Sequence, residues 1–256
     1  MNDGYVKHHV AAGIATVTFH HPKSNSLPGR VLQDLASTIG RMGGDPSVRV
    51  IVLRSDGEKA FCAGASFDEL LTIDSAEKGL AFFSGFGRVI NAIRKAPCLV
   101  IGRVHGRAVG GGVGLAAACD VSYAHSSASA RLSELAIGIG PFVVGPAVER
   151  KVGAGTFGLM SFTPAAWRDA PWCLQHGLYN AVFDAPEELD RAVEAHAQEL
   201  AAYSPEAMRE LKRTLWRGTE DWDRLLDERA ATSGRLILSE FAVQAINRFK
   251  AEAARR

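Results

Sequence analysis

The glycine-rich stretch at residues 102–120 (GRVHGRAVGGGVGLAAACD) has the composition that points most directly to chemistry. A predicted strand runs into these glycines, and a helix is predicted after them. Glycine lets backbone N–H groups face a cleft with no side chain in the way, and a helix N-terminus adds partial positive charge. Such a site would stabilise an oxygen that becomes negative during a reaction. The same glycines could instead serve only a tight turn and close packing, and spacing alone leaves both interpretations open.

Two further segments carry residues that could complete such a site. The segment KAFCAGASFDEL (residues 59–70) follows a predicted buried strand and places Gly64 among small residues. The segment ARLSELAIGIGP (residues 130–141) places one carboxylate, that of Glu134, among small and apolar residues. On its own the first segment is typical of a loop. Glu134 is compatible with a capping or salt-bridging role as well as with acid–base catalysis.

The elements that would position these segments alternate between strand and helix. IATVTF (residues 14–19) alternates like a strand, and the apolar runs at residues 50–53 and 98–104 predict buried strands. Apolar residues at helical spacing predict helices over residues 31–42, 80–93 and 115–119. This alternation favours an α/β layered fold for residues 1–190. Residues 191–256 are predicted to be entirely helical and too few to enclose a core of their own, so they should pack on the α/β body or on another subunit.

Composition and simple motifs exclude several classes of protein. The 29 basic and 28 acidic residues give a net charge of +1, which argues against a nucleic-acid binder that relies on phosphate contacts. Basic residues occur only in scattered pairs such as Lys212–Arg213 and Arg255–Arg256. No apolar run is long enough to span a membrane, and no secretory signal is visible. There is no P-loop pattern and no G-x-S-x-G elbow. The four cysteines are far apart, which favours a reduced, cytoplasmic protein without disulfides or a zinc site.

Taken in order, the three segments resemble the crotonase superfamily, the enoyl-CoA hydratase/isomerase family. The resemblance rests on AFCAGA, on GGG followed by ACD, and on SELAIGIG, and it extends from HPKSNSL (residues 21–27) to SEFAVQAINRFK (residues 239–250). It implies a ClpP/crotonase-like spiral of repeated ββα units over residues 1–190. It also implies a helical C-terminal region, residues 191–256, that builds homotrimers or dimers of trimers.

The resemblance further implies an acyl-CoA substrate whose thioester oxygen becomes enolate-like between two backbone N–H groups. Ala65 and Gly111 match the positions that donate them. Lys23 matches a lysine near the CoA phosphates. The other residues expected to line the substrate cleft are Ala63, Ser66, Phe67, Asp68, Gly110, Gly114 and Phe142. The family uses no metal and no separate cofactor, because coenzyme A is part of the substrate.

The chain departs from the family's hydratases at one catalytic position. Those enzymes hold and deprotonate a water with two glutamates, and the position of the first is occupied here by Gly114, whereas the second matches Glu134. A single glutamate at the second position resembles the Δ3,Δ2-enoyl-CoA isomerases, as does Pro141–Phe142 shortly after it. The apolar neighbours Leu135, Ile137 and Ile139, together with Phe142, predict a dry surround that raises the pKa of the carboxyl group. A further departure is Asp68, where the family sometimes carries a lysine or arginine.

These observations predict a cytoplasmic acyl-CoA enzyme in which Glu134 shifts the double bond of an enoyl-CoA. Three alternatives remain: a hydratase with one replaced glutamate, a decarboxylase of a malonyl-type CoA, and a catalytically silent scaffold, some of whose relatives bind RNA. The missing carboxylate is what distinguishes the isomerase hypothesis from the hydratase hypothesis. The substitution Gly114→Glu is therefore expected to introduce or raise hydration.

Overall fold

A computed structural model of the chain describes residues 4–254, so the terminal pair Arg255–Arg256 lies outside the described part. Its largest sheet has six strands in the order β1-β2-β4-β7-β9-β12, and all neighbours are parallel except the hairpin β1–β2. The strands are β1 (Tyr5–Ala11), β2 (Ile14–His20), β4 (Val50–Ser55), β7 (Leu99–Val104), β9 (Val121–His125) and β12 (Ala181–Phe183). The apolar runs predicted as buried strands are β4 and β7, which lie in the middle of this sheet.

Two smaller sheets contain the remaining strands of the described residues. The first has four strands in the order β11-β10-β8-β5, and the second pairs β3 with β6 in parallel. Their bounds are β3 (Ser26–Leu27), β5 (Ala60–Cys62), β6 (Gly64–Ala65), β8 (Arg107–Val109), β10 (Ser129–Arg131) and β11 (Arg168–Asp169). Four of these short strands, β5, β6, β8 and β10, lie within or overlap the three segments singled out in the sequence.

Ten α-helices and one 3₁₀ helix occupy the described residues. They are α1 (Gly29–Gly44), α2 (Phe67–Leu70), α3 (Ala76–Lys95), α4 (Gly111–Ala118), α5 (Gly145–Phe162), α6 (Ala170–Gln175), α7 (Pro186–Ala201), α8 (Pro205–Leu215), α9 (Trp222–Leu236), α10 (Glu240–Ala254) and the 3₁₀ helix Glu134–Ile137. Helices α1 and α3 confirm the predicted spacing. Helix α4 begins at Gly111, four residues before the predicted start, because its first turn is built from the glycines themselves.

The helical C-terminal region packs directly on the α/β body. Helix α9 lies against α3, and their backbones approach so closely that a Cβ on Gly79 would stand 2.7 Å from the carbonyl oxygen of Gly234. Helix α7 covers the large sheet with Leu189, Val193 and Ala197. The expected boundary at residue 190 therefore lies inside α7, a helix that covers one face of the large sheet.

Lys212, one member of a basic pair in the sequence, is buried. Its ammonium group donates to the carbonyl oxygens of Ile93 and Cys98 and to the carboxylate of Asp120. The neighbouring Arg213 is exposed and pairs with Glu210 within the same helix. Lys212 thus ties α8 to the end of α3 and the start of β7.

Several other sequence features have plain structural outcomes. All four cysteines are buried and unpaired. The glycines at positions 153, 155 and 158 have the G-x-G-x-x-G spacing of dinucleotide-binding loops. They begin at a kink within α5, where Gly153 has a φ of +77°, and not between a strand and a helix, so they form no such loop. No helix within residues 4–254 is both long enough and apolar enough to cross a bilayer.

Candidate active site

A cavity of about 350 Å³ opens between the four-stranded sheet, helix α3 and the 3₁₀ helix. Most of its wall is apolar, with Phe83, Phe86, Phe142, Val143 and Val144 among the lining residues. Within the described residues, Glu134 contributes the one carboxylate of this lining. The helical tail completes the wall with Ser233 of α9 and Phe249 of α10, which the sequence did not indicate.

Two backbone turns from distant segments meet at this cavity. Gly64 has a φ of +85°, and a Cβ at this position would lie 2.8 Å from the carbonyl oxygen of Val109 and 3.6 Å from the amide nitrogen of Gly111. Only glycine allows both this conformation and this approach. The β6 turn and the N-terminus of α4 therefore lie side by side, and both Ala65 and Gly111 line the cavity.

Hydrogen bonds to β3 hold the β6 turn in place. The N–H of Ala63 donates to the carbonyl of Asn25 at 3.2 Å, and the hydroxyl of Ser26 donates to the carbonyl of Ala65 at 2.8 Å. Ser66 caps α2 by accepting the N–H of Glu69 at 3.4 Å, so its side chain serves the helix and does not line the cavity. The loop that carries Ala65 is thus fixed before any ligand binds.

The first turn of α4 presents its backbone to the cavity. Gly110 has a φ of +51°, and its own N–H donates to the carbonyl of Arg131 at 2.8 Å. Gly111 is the first residue of the helix, so its N–H has no partner within the helix. The ring of Phe86 packs where a side chain at Gly111 would stand, with Cδ1 at 2.6 Å from that point. A side chain at position 111 would therefore collide with Phe86.

The carboxyl group of Glu134 lies against this same turn. Its Oε1 is 2.9 Å from the point where a Cβ on Gly110 would stand, and its Oε2 is buried without a hydrogen-bond partner in the described structure. Burial raises the pKa of this carboxyl group to about 7, although the backbone N–H groups of Glu134 and Ser133 and the charge of Arg131 lower it in part. The arrangement can supply a base close to neutrality beside the β6 turn and the first turn of α4.

The surround of Glu134 is largely apolar, as expected, but its composition differs from the expectation. Ile137, Ile139 and Phe142 line the cavity. Leu135 does not, and its side chain is exposed because the tight 3₁₀ turn directs it away from Glu134. Its assignment to the dry surround is therefore wrong.

Gly114 does not line the cavity, contrary to the expectation. The wall at this place is formed by Val144, whose Cβ lies 2.7 Å from where a Cβ on Gly114 would stand. The position at which the resemblance implies a glutamate in hydratases is therefore filled from the opposite side. A side chain placed on Gly114 alone would collide with Val144, so the expected gain of hydration from Gly114→Glu does not follow from this structure.

At the rim, Lys23 and Asp68 form an ion pair between exposed side chains. Neither residue lines the cavity, whereas Phe67, between Asp68 and the β6 turn, does. Ala63 and Gly110 also lie in the lining, as expected. The approach of phosphates to Lys23 thus remains a prediction, and in this structure a carboxylate already neutralises that lysine.

Comparison with known proteins shows to which family the chain belongs. A family profile described as Enoyl-CoA hydratase/isomerase matches residues 9–245. The chain belongs to this family, within the crotonase superfamily. It is 30% identical over 239 residues to the short-chain-enoyl-CoA hydratase of Clostridium acetobutylicum, and the match covers 92% of this chain and 90% of that protein.

Solved structures agree with membership of the crotonase superfamily. An enoyl-CoA hydratase from Mycobacterium smegmatis superposes with a TM-score of 0.79 at 29% identity, covering 96% of both chains. An enoyl-CoA hydratase from Bacillus halodurans superposes with a TM-score of 0.88 over 95% of this chain and 99% of that chain. The second pair is only 19% identical, so this likeness concerns the fold alone. The α/β spiral with a helical tail is thus the crotonase fold, and the chain is an enzyme of this family.

The sequence analysis did not predict three basic side chains that line the cavity. Lys59, Arg107 and Arg131 all line it, together with Trp167. All three stand inside the segments singled out in the sequence: Lys59 in residues 59–70, Arg107 in residues 102–120 and Arg131 in residues 130–141. The alternation of β8, in which Arg107 and Val109 share one face, is the signal that could have placed Arg107 there.

Proposed function

We propose that the enzyme shifts the double bond of an enoyl-CoA, with Glu134 as the acid and base. The observation that supports this function is that one carboxylate, buried and without a hydrogen-bond partner on Oε2, lies against Gly110, while Val144 fills the place of a second one. Hydration divides two tasks between two carboxylates, whereas moving one proton along a chain needs only one.

In the proposed reaction, Glu134 takes a proton from C2 of a 3-enoyl-CoA. The electron pair of the broken C–H bond moves into the thioester, and the carbonyl oxygen becomes a dienolate oxygen. The N–H groups of Ala65 and Gly111 donate hydrogen bonds to this oxygen. Glu134 then returns the same proton to C4, which leaves the double bond between C2 and C3. The atoms and electrons balance without an oxidant, a metal or a separate cofactor.

The environment of Glu134 suits this role. A pKa of about 7 makes its carboxylate a stronger base than an exposed glutamate and still leaves a large fraction ionised near neutral pH. Backbone donors that are fixed in advance need no reorganisation as charge develops, and losing one such donor typically costs about 3 kcal/mol of transition-state stabilisation.

Hydration of a 2-enoyl-CoA is the second candidate, because the relative from Clostridium acetobutylicum is named as a hydratase. In that reaction Glu134 would activate a water with only polar neighbours such as Ser133 to help orient it. Decarboxylation of a malonyl-type CoA would need the two N–H groups and no carboxylate at all. The three reactions therefore make different demands on Glu134.

The deciding experiment offers the purified enzyme a 3-enoyl-CoA, a 2-enoyl-CoA and a malonyl-type CoA. We expect fastest turnover of the 3-enoyl-CoA, a loss of at least about 100-fold in Glu134→Gln, and no loss in Glu206→Gln, a control at an exposed glutamate of α8. Faster formation of the 3-hydroxy product from the 2-enoyl-CoA would replace isomerisation by hydration. Undiminished turnover in Glu134→Gln would remove that residue from the mechanism.

The assembly expected from the family is a homotrimer or a dimer of trimers in the cytoplasm. Exposed apolar side chains on the helices after β10 are consistent with further subunit contacts, among them Leu159, Phe162, Leu174, Phe241 and Val243. Light scattering of the purified protein distinguishes a trimer from a hexamer or a monomer.

A further inference from the structure

A buried hydroxyl group belongs to the wall that helix α9 contributes to the cavity. The serines of the lining are Ser24, Ser133 and Ser233, and Ser233 alone among them is buried, with 2% of its surface exposed. Within residues 4–254 its hydroxyl group forms no hydrogen bond. The neighbouring Thr232 differs, because its hydroxyl group donates to the carbonyl of Glu228 one turn earlier. A buried hydroxyl without a partner is unfavourable unless another molecule completes its hydrogen bonds.

The packing of α9 on α3 fixes where this hydroxyl group lies along the cavity. A Cβ on Gly79 of α3 would stand 2.5 Å from the Cα atom of Gly234 in α9. Two turns further along α3, a Cβ on Gly87 would stand 3.3 Å from the Cβ atom of Leu226. The two helices therefore run antiparallel in a defined register. In this register Ser233 is level with the residue that directly follows Gly79.

The same register relates Ser233 to the turn that holds the first amide of α4. The ring of Phe86 in α3 packs against Gly111, the first residue of α4. Along α3, the level of Ser233 precedes Phe86 by about six residues, which is a rise of about 9 Å. Phe83 lies between these two levels and lines the cavity. The cavity wall therefore leads from Gly111, past Phe83, to the hydroxyl group of Ser233.

The surroundings of Ser233 favour an uncharged partner. Phe83 and Val143 are apolar residues of the lining, and Val143 packs beside α9 where Leu226 meets Gly87. The basic side chains of the lining, in contrast, come from β8, from β10 and from the residue before β5. A carboxylate beside Ser233 would lose its hydration for a single hydrogen bond. A hydroxyl or keto oxygen needs only the one hydrogen bond that a serine can give.

The separation between Gly111 and Ser233 limits which carbon of an acyl chain can carry that oxygen. In the proposed function the thioester oxygen lies at the amide of Gly111. A saturated chain advances about 1.3 Å per carbon, because its C–C bonds are about 1.5 Å long and meet at tetrahedral angles. With a hydrogen bond of about 2.8 Å at the Ser233 end, a gap of about 9 Å is spanned when the oxygen is on about the fifth to seventh carbon.

We propose that Ser233 is a specificity-determining residue of this enzyme, which selects acyl groups with an uncharged oxygen, hydroxyl or keto, on about the fifth to seventh carbon. The hydroxyl group of Ser233 forms a hydrogen bond with that oxygen, and the apolar wall beside it holds the carbons that lead there. This inference rests on the part of the proposed function that places an acyl-CoA thioester at Gly111. It does not depend on which reaction follows.

The test measures equilibrium binding of saturated, unreactive thioesters by calorimetry. In 6-hydroxyhexanoyl-CoA a hydroxyl group replaces the last methyl group of heptanoyl-CoA, so the two ligands have nearly the same size. Hexanedioyl-CoA carries a carboxylate at the same distance. The variants are Ser233→Ala and Ser233→Cys, of which the second keeps the size of the side chain. Ser161→Ala is the matched control, because Ser161 is also buried in a helix but donates to the carbonyl of Phe157 at 2.8 Å and does not line the cavity.

We expect the wild type to bind 6-hydroxyhexanoyl-CoA about fivefold or more tighter than heptanoyl-CoA. Both Ser233 variants should weaken the hydroxylated ligand about tenfold and leave heptanoyl-CoA unchanged, and Ser161→Ala should alter neither. Equal affinity of the wild type for the two ligands, or an equal loss of both in Ser233→Ala, overturns the inference. Tighter binding of hexanedioyl-CoA that is lost in Ser233→Ala overturns the choice of an uncharged oxygen. Absence of isomerase activity in the same preparation contradicts only the proposed reaction.

Discussion

Val144 and Gly114 occupy a single volume beside the cavity, since the Cβ of Val144 stands 2.7 Å from the place of a Cβ on Gly114 and its Cγ1 is closer still. The glycine is buried in α4, and the valine directly precedes α5. The space beside Gly114 is therefore filled by the side chain of Val144. The pair closes the cavity wall with a methyl group, which favours chemistry by Glu134 alone.

This pairing predicts that Gly114→Ala destabilises the fold. Overpacking of a buried site typically costs about 1–3 kcal/mol, and the double variant Gly114→Ala/Val144→Ala should recover most of that loss. Urea unfolding provides the free energies. Gly40→Ala is the control, because Gly40 lies exposed in α1 with open space around it and should gain up to about 1 kcal/mol. Equal stability of Gly114→Ala and the wild type would mean that Val144 moves aside freely.

The same pairing predicts how hydration could be installed. Gly114→Glu alone should misfold or lose stability without gaining activity, whereas Gly114→Glu/Val144→Gly frees the volume and supplies a second carboxylate beside Glu134. The measurement is formation of the 3-hydroxy product from a 2-enoyl-CoA. Hydration that rises in the single variant and not further in the double variant would show that Val144 does not control this reaction.

The sequence was sufficient to predict the parts of the site that are continuous in the chain. Glu134, Gly64 and the glycines of α4 stand in short segments whose composition restricts what they can do, and the structure brings these segments to one cavity. The buried strands β4 and β7 were predictable for a similar reason, since a strand covered on both faces must be apolar throughout.

The parts that the sequence did not predict depend on side chains that meet from distant segments. Nothing in the local pattern of Val144 indicates that it fills the space beside Gly114. Trp167 follows α5 in a loop, yet its ring lies against arginines of β8 and β10. Phe249 reaches the cavity from the last helix. Periodicity gives the face on which a residue lies but not the partner from another element.

Glu134→Gln is predicted to raise stability while abolishing activity. The pKa of this carboxyl group is raised from 4.5 to about 7 in the folded protein, so the folded state binds the proton more tightly than the unfolded chain does. Its favourable contribution is complete below pH 4.5 and is lost as the pH rises to about 7, where the buried group must ionise. At pH 8 the variant should gain up to about 3 kcal/mol in unfolding free energy, and below pH 4.5 the gain should vanish.

Thermal unfolding at several pH values measures this difference, with Glu206→Gln as the exposed control. The kcat/KM of the wild type should fall on the acidic side with a midpoint near pH 7, because only the carboxylate can remove a proton. A gain in stability that does not depend on pH would contradict the assignment of the raised pKa to Glu134.

Gly64→Ala is predicted to reduce turnover by about 100-fold or more, because its new methyl group would press on the carbonyl of Val109 and move the Ala65 turn away from Gly111. Gly57→Ala is the matched control: Gly57 has a similar φ of +95°, but its nearest neighbouring atom is 3.7 Å from the new methyl group. Both variants should lose about 1–2 kcal/mol of stability from backbone strain. An equal loss of turnover in the two would show that strain, rather than the position of the amides, limits the reaction.

Lys212→Met is predicted to detach the helical tail from the body at a cost of about 3–5 kcal/mol. The substitution removes the ammonium group from Asp120 and from the carbonyls of Ile93 and Cys98, and it leaves the carboxylate buried. Asp120 would keep hydrogen bonds from the N–H of Val100 and the indole of Trp216, both at 2.8 Å, but these do not neutralise its charge. Lys212→Met/Asp120→Asn should therefore be more stable than the single variant.

Arg213→Met, at the exposed neighbouring position, should change the unfolding free energy by less than about 1 kcal/mol, since surface ion pairs contribute little. Ser233 and Phe249 of the tail line the cavity. Lys212→Met should therefore also weaken substrate binding at urea concentrations close to the midpoint of its unfolding. If both lysine and arginine variants unfolded at the same urea concentration, the buried pair would contribute nothing measurable. The tail would then be held by the packing of its helices on the body, including that of α9 on α3.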